Sequence, residues 1–106
     1  MPDVIKKVTA GNYNSLLEQS RQTPILVIVT MADCPYCKRG LSALKRFILA
    51  WMDGRAGWIV DTDKPDLATQ YKLDTLPGYL LYWGGRVIRK ETGLLEGAAL
   101  AKFVSG

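Results

Sequence analysis

The chain has 106 residues, 48% hydrophobic and 23% charged, a composition that predicts one globular domain over residues 1–106 and excludes a disordered segment. Fourteen basic against ten acidic side chains leave a net charge of +4, and the basic pairs are scattered over different elements, which argues against nucleic-acid binding. The absence of histidine excludes His-based catalysis and His metal ligands, and two cysteines are too few for a disulfide scaffold.

The first part of the chain alternates strand and helix patterns. A half-alternating apolar run at residues 4–8 predicts a strand, and Asn12 or Asn14 is a candidate N-cap for a helix that reaches residue 20. The run at 25–29 is uninterrupted and rich in β-branched residues, which is typical of a central strand buried on both faces.

A Cys-x-x-Cys motif follows this strand, at the start of the next helix pattern. Beyond Cys37, apolar residues recur in steps of three and four and form one helical stripe, and we expect Gly54 and Gly57 to end the helix. The stripe consists of Leu41, Leu44, Ile48 and Trp51.

The second half of the chain ends in a hairpin and a helix. Its predicted elements are a strand at 58–60, a turn at 61–65, a short helix from Pro65 to Tyr71, strands at 79–83 and 86–91 around a Gly84-Gly85 turn, a break at Gly93 and a helix at 98–104. The order β-α-β-α-β-α-β-β-α predicts an α/β fold, in which right-handed crossovers join parallel strands and the hairpin adds an antiparallel pair.

Pro35 determines the geometry that we expect at the motif. Proline is favoured as the first residue of a helix, which makes Cys34 the N-cap. The sulfur of Cys34 then faces the free backbone N–H groups of Tyr36 and Cys37, and these donors stabilise a thiolate. The pattern therefore predicts that the pKa of Cys34 is lower than that of a free thiol.

The two cysteines are expected to have different roles. Lys38 adds positive charge near Cys34 and Asp33 opposes it, so both residues are candidates for tuning its pKa. Cys37 lies one turn further along, on the apolar stripe, and should be more buried. Cys34 is therefore the predicted nucleophile toward a target disulfide, and Cys37 resolves the mixed disulfide.

Other interpretations of the pair stay open. A zinc site needs about four ligands, and this chain offers two cysteines. A structural disulfide across so short a loop gains little chain entropy. A metal ion or iron–sulfur cluster shared between two chains is the remaining alternative. The catalytic dithiol is the interpretation that we favour, with no metal site.

The motif at a helix start, the segment Thr75-Leu76-Pro77 before a hairpin, the Gly84-Gly85 turn and Gly93 together resemble the thioredoxin fold over nearly the whole chain. The resemblance implies an α/β domain whose central mixed sheet, of parallel strands and a C-terminal antiparallel hairpin, has helices on both faces.

The resemblance also implies a substrate groove. Pro77 would be a cis proline that faces the cysteine pair, the backbone of Leu76 would pair with the substrate chain, and Gly93 would line the same groove. The remaining candidate substrate-binding residues are Pro35, Tyr36 and Thr75.

The chain departs from thioredoxins at its site. Cys-Pro-Tyr-Cys is the glutaredoxin motif, whereas thioredoxins have Cys-Gly-Pro-Cys. Ile28 stands where thioredoxins keep a buried aspartate, and Gly57 stands at the position of the usual lysine partner. Glutaredoxins bind glutathione through two segments; Thr75-Leu76-Pro77 is similar to the first, and residues 92–96 only weakly resemble the second. Hybrids of this kind occur among small redoxins of bacteria and phages.

We therefore expect a thiol-disulfide oxidoreductase that reduces protein disulfides through Cys34 and Cys37, as a monomer without a resident cofactor. Thioredoxin reductase or glutathione would restore the dithiol. The alternatives are a glutathione-dependent glutaredoxin, with glutathione as co-substrate, and a redoxin-fold binding module or accessory subunit. No apolar run approaches the ~18 residues of a membrane span. The start Met1-Pro2-Asp3 lacks the pattern of a secretory signal, so a cytoplasmic location is expected.

Overall fold

The computed structural model describes residues 5–9, 11–31, 33–51, 57–60 and 66–105, and the predicted order of elements is confirmed. The predicted turn at 61–65 and the predicted helix end at Gly54 lie outside the described residues. None of the described helices is long and apolar enough to cross a membrane. The elements are β1 (Ile5–Lys7), α1 (Tyr13–Gln19), β2 (Ile25–Val29), α2 (Pro35–Trp51), β3 (Gly57–Val60), α3 (Asp66–Gln70), β4 (Gly78–Trp83), β5 (Arg86–Thr92) and α4 (Ala98–Ser105).

Strand β2 is the centre of a five-stranded mixed sheet with the order β1-β3-β2-β4-β5. It pairs with β3 in parallel and with β4 in antiparallel orientation. All five of its residues are buried, as the uninterrupted apolar run predicted. The end of β2 leads to the cysteine motif, so a fully buried strand positions the start of α2.

Helices cover both faces of the sheet, and alternate residues of β2 and β4 enter two separate cores. One core lies with α1 and α3, and the other lies with α2 and α4. The first contains Val8, Leu16, Ile25, Val27, Val29, Leu67, Leu73, Leu80 and Tyr82. The second contains Leu26, Ile28, Ala43, Leu44, Tyr79, Leu81, Leu100 and Phe103.

Asn12 is the N-cap of α1, but its side chain makes no capping hydrogen bond. Its Oδ1 instead accepts a hydrogen bond from the backbone N–H of Thr9 at 2.7 Å, and its Nδ2 donates to the carbonyl oxygen of Lys7 at 2.8 Å. The amide therefore ties the start of α1 to the end of β1. The other candidate cap, Asn14, lies inside the helix.

The prediction that Gly57 ends the long helix is wrong. Gly57 is the first residue of β3, where it is paired with Ile5 of β1 and Leu26 of β2. Glycine is disfavoured in strands because it has no side chain to pack. At this position the backbone pairing with two neighbouring strands outweighs that preference, and no side-chain pattern announces it.

The buried phenol of Tyr82 provides a test of the core on the α1 side. Tyr82 is fully buried, and its hydroxyl lies 3.1 Å from that of Tyr13. Burial, followed by the hydrogen bond to Tyr13, raises the pKa of Tyr82. The phenol therefore stays neutral in the folded chain at a pH where it ionises in the unfolded chain.

We predict that Tyr82→Phe weakens the loss of stability at alkaline pH. Below pH ~10 the phenol is neutral in both the folded and the unfolded chain, and above that pH only the unfolded chain releases the proton. The free energy of unfolding of the wild type therefore falls by about 1.4 kcal/mol per pH unit through this group. Urea unfolding between about pH 9 and pH 11.5 should give a shallower pH slope for Tyr82→Phe. Equal slopes for the two proteins would contradict the prediction.

Candidate active site

Cys34 occupies the N-cap of α2, and Pro35 is the first helical residue, as predicted. The carbonyl oxygen of Cys34 accepts the first helical hydrogen bond, from the backbone N–H of Lys38 at 3.1 Å. The backbone N–H of Cys37 donates to the Sγ of Cys34, also at 3.1 Å. A free amide of the first turn thus points at the sulfur, and this contact stabilises negative charge on the atom.

The two cysteines form a disulfide, with their Cα atoms 5.1 Å apart. Cys37 is 3% exposed, whereas Cys34 is half-buried. The predicted difference in burial is therefore confirmed. Cys34 is thus the more accessible of the two cysteines, and Cys37 is covered by the body of the protein.

Pro77 lies against the same helix. The Leu76–Pro77 peptide bond is cis, and the proline is buried. The Cγ of Pro77 is 3.1 Å from the point that a Cβ atom on Gly40 would occupy, and Gly40 is one helical turn beyond Cys37. The backbone N–H of Gly93 donates to the carbonyl oxygen of Pro77 at 3.0 Å. Pro77 and Gly93 are thus held together beside the dithiol helix.

Leu76 presents an unpaired stretch of backbone next to these residues. Its side chain packs against the core on the α1 side. Neither its N–H nor its carbonyl oxygen hydrogen-bonds with another residue in the described part of the chain. Buried or half-buried backbone groups are ordinarily paired, so this stretch is suited to receive the backbone of another chain.

Beneath α2, a phenol and an aliphatic side chain lie close to Gly40, and the aliphatic residue, Ile28, stands at the position where the resemblance to thioredoxins implies a buried aspartate. Ile28 is fully buried and is paired in the sheet with Tyr79. The Tyr79 hydroxyl accepts a hydrogen bond from the backbone N–H of Leu95 at 3.2 Å and can donate to the Leu95 carbonyl oxygen at 3.4 Å. It lies 2.9 Å, and the Cδ1 of Ile28 lies 3.3 Å, from the Cβ position of Gly40.

Tyr79 does not act as a titrating replacement for that carboxylate. Burial raises the pKa of Tyr79, the hydrogen bond with Leu95 opposes the shift, and Glu96 adds to it. The phenol stays neutral near pH 7, so its contribution is positional. It joins the segment after Gly93 to the strand that follows Pro77.

The other predicted site residues lie around the motif. Tyr36 is 59% exposed, and Thr75 is exposed beside Leu76. Asp33 and Lys38 are exposed on either side of the dithiol, and their effect on the thiolate stays a prediction. Asp33 has φ 57°, a left-handed conformation that Asp tolerates better than most residues.

Three residues of the site were missed at the level of the sequence. Met31 is 50% exposed, three residues before Cys34. Its place in the loop before Cys34 was the available signal. Gly40 and Tyr79 form the close contact under α2. A glycine in a helix interior costs about 1 kcal/mol relative to alanine, so Gly40 was itself a signal of close packing.

Comparison with known proteins identifies the fold. No protein-family model matches the sequence. Thioredoxin Y2, a chloroplastic protein of Arabidopsis thaliana, is 28% identical over 100 residues, which are 93% of this chain and 59% of that protein. The chain therefore spans about three-fifths of the length of this curated relative.

Solved thioredoxin structures superpose on nearly the whole chain. Mitochondrial thioredoxin 3 of Saccharomyces cerevisiae, in its oxidised form, has a TM-score of 0.79 at 24% identity, with 95% of this chain and 93% of that chain covered. Thioredoxin f2 of Chlamydomonas reinhardtii has a TM-score of 0.73 at 18% identity, with 86% and 85% covered. The chain has the thioredoxin fold, and the predicted fold class is confirmed.

We predict that Gly40→Ala destabilises the protein and that Tyr79→Phe relieves part of the loss. The added methyl group must displace the Tyr79 hydroxyl and the Pro77 ring, and overpacking of this kind typically costs about 1–3 kcal/mol. Because removal of the hydroxyl makes room, the double variant should be more stable than the sum of the single changes predicts, by about 0.5 kcal/mol or more. Urea unfolding of all four proteins measures this coupling.

Ser42→Ala is the matched control for this cycle, because Ser42 is exposed on the same helix. Its change in stability should be small, and it should be additive with Tyr79→Phe. Strict additivity of Gly40→Ala and Tyr79→Phe would contradict the close contact.

Proposed function

We propose that this protein is a thiol-disulfide oxidoreductase that reduces protein disulfides through Cys34 and Cys37. The observation that carries the proposal is the asymmetry of the pair: an accessible sulfur that receives an amide hydrogen bond, and a buried partner within disulfide distance. The thioredoxin fold and the relatives reported above support the same reaction class. The chain would work in a reducing compartment such as the cytoplasm, as a monomer without a resident cofactor.

The reaction begins at Cys34. Its thiolate attacks one sulfur of the target disulfide, which forms a mixed disulfide and releases the other target sulfur as a thiolate. The amide of Cys37 stabilises the attacking charge. Met31 and Tyr36, which are exposed near Cys34 in the sequence, would contact the arriving target. The free backbone of Leu76 would align the target chain, and Gly93 would line the same groove.

Cys37 completes the exchange. After its thiol loses a proton, its sulfur attacks Cys34, which forms the intramolecular disulfide and releases the second target thiol. The target gains two electrons and the dithiol loses two. With Ile28 in place of a buried carboxylate and Tyr79 neutral, water is the acceptor that we assign for the Cys37 proton.

Substitution of each cysteine tests the reaction. We predict that Cys34→Ser abolishes the reduction of insulin disulfides, because the nucleophile is lost. Cys37→Ser should instead accumulate a covalent complex with the target, because the resolving thiol is absent; intact-mass measurement and non-reducing electrophoresis detect this complex. Unchanged function of the protein in both variants would contradict the proposed disulfide-reducing activity and favour a redoxin-fold binding module.

Glutathione-dependent activity is the second candidate, and the Cys-Pro-Tyr-Cys motif with Thr75-Leu76-Pro77 favours it. The second glutathione segment is only weakly similar in sequence. In this structure the carboxylate of Glu96, at the end of that segment, accepts a hydrogen bond from the Arg39 guanidinium at 3.3 Å. Because Arg39 and Glu96 pair with each other, they are less available to bind glutathione, and this favours a protein reductase as the electron donor. A thioredoxin f2 has been solved in complex with ferredoxin:thioredoxin reductase, at a TM-score of 0.79 and 14% identity.

We predict that NADPH with thioredoxin reductase reduces the oxidised protein faster than millimolar glutathione does. The measurement follows the loss of the Cys34–Cys37 disulfide by quenched alkylation and intact-mass analysis over time. Glu96→Gln is the matched variant, because it frees Arg39 without changing the dithiol, and any glutathione rate should rise in it. Faster reduction by glutathione than by the reductase in the wild type would reverse the assignment and indicate a glutaredoxin.

A further inference from the structure

Helix α2 carries cationic side chains along the side that begins at the dithiol. Its exposed cations are Lys38, Arg39, Lys45 and Arg46, here called the cationic face. They occupy a sector of roughly 120° at 100° per residue, so they share one side of the helix. No acidic residue occurs in the 17 residues of α2. The charged side chains of α2 are therefore all positive, whereas solvent-exposed helices commonly carry both acidic and basic residues.

One carboxylate meets this face within the described residues. Glu96 pairs with Arg39 at 3.3 Å, and the two side chains are 42% and 62% exposed. Four positive charges against one negative charge leave three in excess, out of a net charge of +4 for the whole chain. The other ten basic residues of the chain are nearly balanced by its other nine acidic residues, so the excess positive charge belongs mainly to the cationic face.

A groove runs beside the cationic face. It lies between α2 and the segment that precedes α4, and two adjoining depressions of about 250 and 380 Å³ share Arg46 and Glu96 in their walls. Ala43 and Phe47 line its far end. The groove therefore combines cationic walls with apolar surface, which suits a polypeptide better than a bare anion.

We infer that the cationic face and its groove dock an acidic segment of a disulfide-bearing protein partner. This inference rests on the proposed function, since it states which protein disulfides the dithiol meets most readily. Arg46 lies twelve residues beyond Cys34, the residue that bonds to the partner, which is roughly 18 Å along the helix axis. An extended chain covers that distance in about five residues. The acidic residues of the partner should therefore lie about four to six residues from its reacting cysteine.

A polypeptide fits these observations better than a nucleic acid. The groove opens beside a disulfide-reacting pair, which gives the docked chain a chemical reason to be there. Ala43 and Phe47 add apolar surface at its far end, which matches the side chains of a polypeptide better than a continuous phosphate backbone. Charges of this kind act mainly on the rate of association, which they can raise tenfold or more at low salt. Their effect should fall as the Debye length shortens from ~30 Å at 0.01 M to ~3 Å at 1 M.

Two disulfide peptides test the inference. They share one cyclic Cys–Cys core, and three residues placed four to six positions beyond the second cysteine are Glu in one peptide and Gln in the other. The second-order rate of reduction by the pre-reduced protein is measured at about 20 mM and 500 mM NaCl. We expect the Glu peptide to react about tenfold faster at low salt, and this ratio to approach one at high salt.

Charge reversal locates the effect. Lys45→Glu combined with Arg46→Glu should bring the low-salt ratio of the two rates to one or below. Lys72→Glu combined with Lys102→Glu changes the net charge equally at exposed positions that lie outside α2 and do not line the groove, and it should retain the ratio. The rate on the Gln peptide shows in each variant that the protein is folded and reactive.

The remaining outcomes overturn the inference in distinguishable ways. Equal rates on both peptides with normal reduction would refute the docking surface and leave the proposed function intact. Equal loss of the ratio in both double variants would indicate attraction by net charge alone. Stronger inhibition by a single-stranded oligonucleotide than by a disulfide-free Glu peptide of the same charge would assign the face to nucleic acid. Failure to reduce either peptide would refute the proposed function itself.

Discussion

The close approach of helix α2 to the beginning of strand β4 holds the site together. At Gly40 the helix has no side chain, and the space is filled by the Pro77 ring, the Tyr79 hydroxyl and the end of Ile28. A glycine inside a helix weakens it by about 1 kcal/mol relative to alanine. Here the loss is offset by packing, because the helix can lie against buried side chains of two strands. The contact fixes Cys37, one turn earlier, relative to the cis proline.

The same contact connects chemistry with recognition. Tyr79 reaches past Gly40 to both backbone groups of Leu95, and Gly93 donates to the carbonyl oxygen of Pro77. The dithiol helix, the backbone of Leu76, which has no hydrogen-bond partner among the described residues, and Gly93 are therefore parts of one packed unit. A target chain would meet a preorganised surface, which lowers the cost of ordering on binding.

The residue beneath α2, Ile28, is apolar and cannot accept the proton of Cys37, but it avoids the cost of burying a charge. A buried carboxylate beneath α2 would be costly to desolvate, and thioredoxins accept that cost to assist the inner cysteine. In this chain Ile28 is fully buried in the core instead. The nearby polar group, Tyr79, is satisfied by backbone partners and stays neutral because burial raises its pKa. In the proposed mechanism, the resolving step would then depend on solvent to accept the proton of Cys37.

Much of this arrangement is readable from local sequence, because local rules dictate it. The apolar run of β2 and the proline after Cys34 specify a buried strand and a helix N-cap wherever they occur. The roles of Asn12 and Gly57 were harder to predict, because they depend on partners in other segments. The side-chain amide of Asn12 hydrogen-bonds with Lys7 and Thr9, and Gly57 is paired with two neighbouring strands. Gly40 and Tyr79 are 39 positions apart, and only the fold shows that one leaves room for the other.

Helix α2 combines three electrostatic contributions that point the same way. Its first-turn amide donates to Cys34, its N-terminal dipole is positive, and its exposed side carries four cations. The first two act within the first turn and favour the thiolate in every reaction. Lys38 is the cation next to the dithiol, where it is expected to act on Cys34, whereas Lys45 and Arg46 lie two turns further along the helix, where the proposed partner would meet them. Substrate preference can therefore change through Lys45 and Arg46 without a change in the groups of the first turn that act on Cys34.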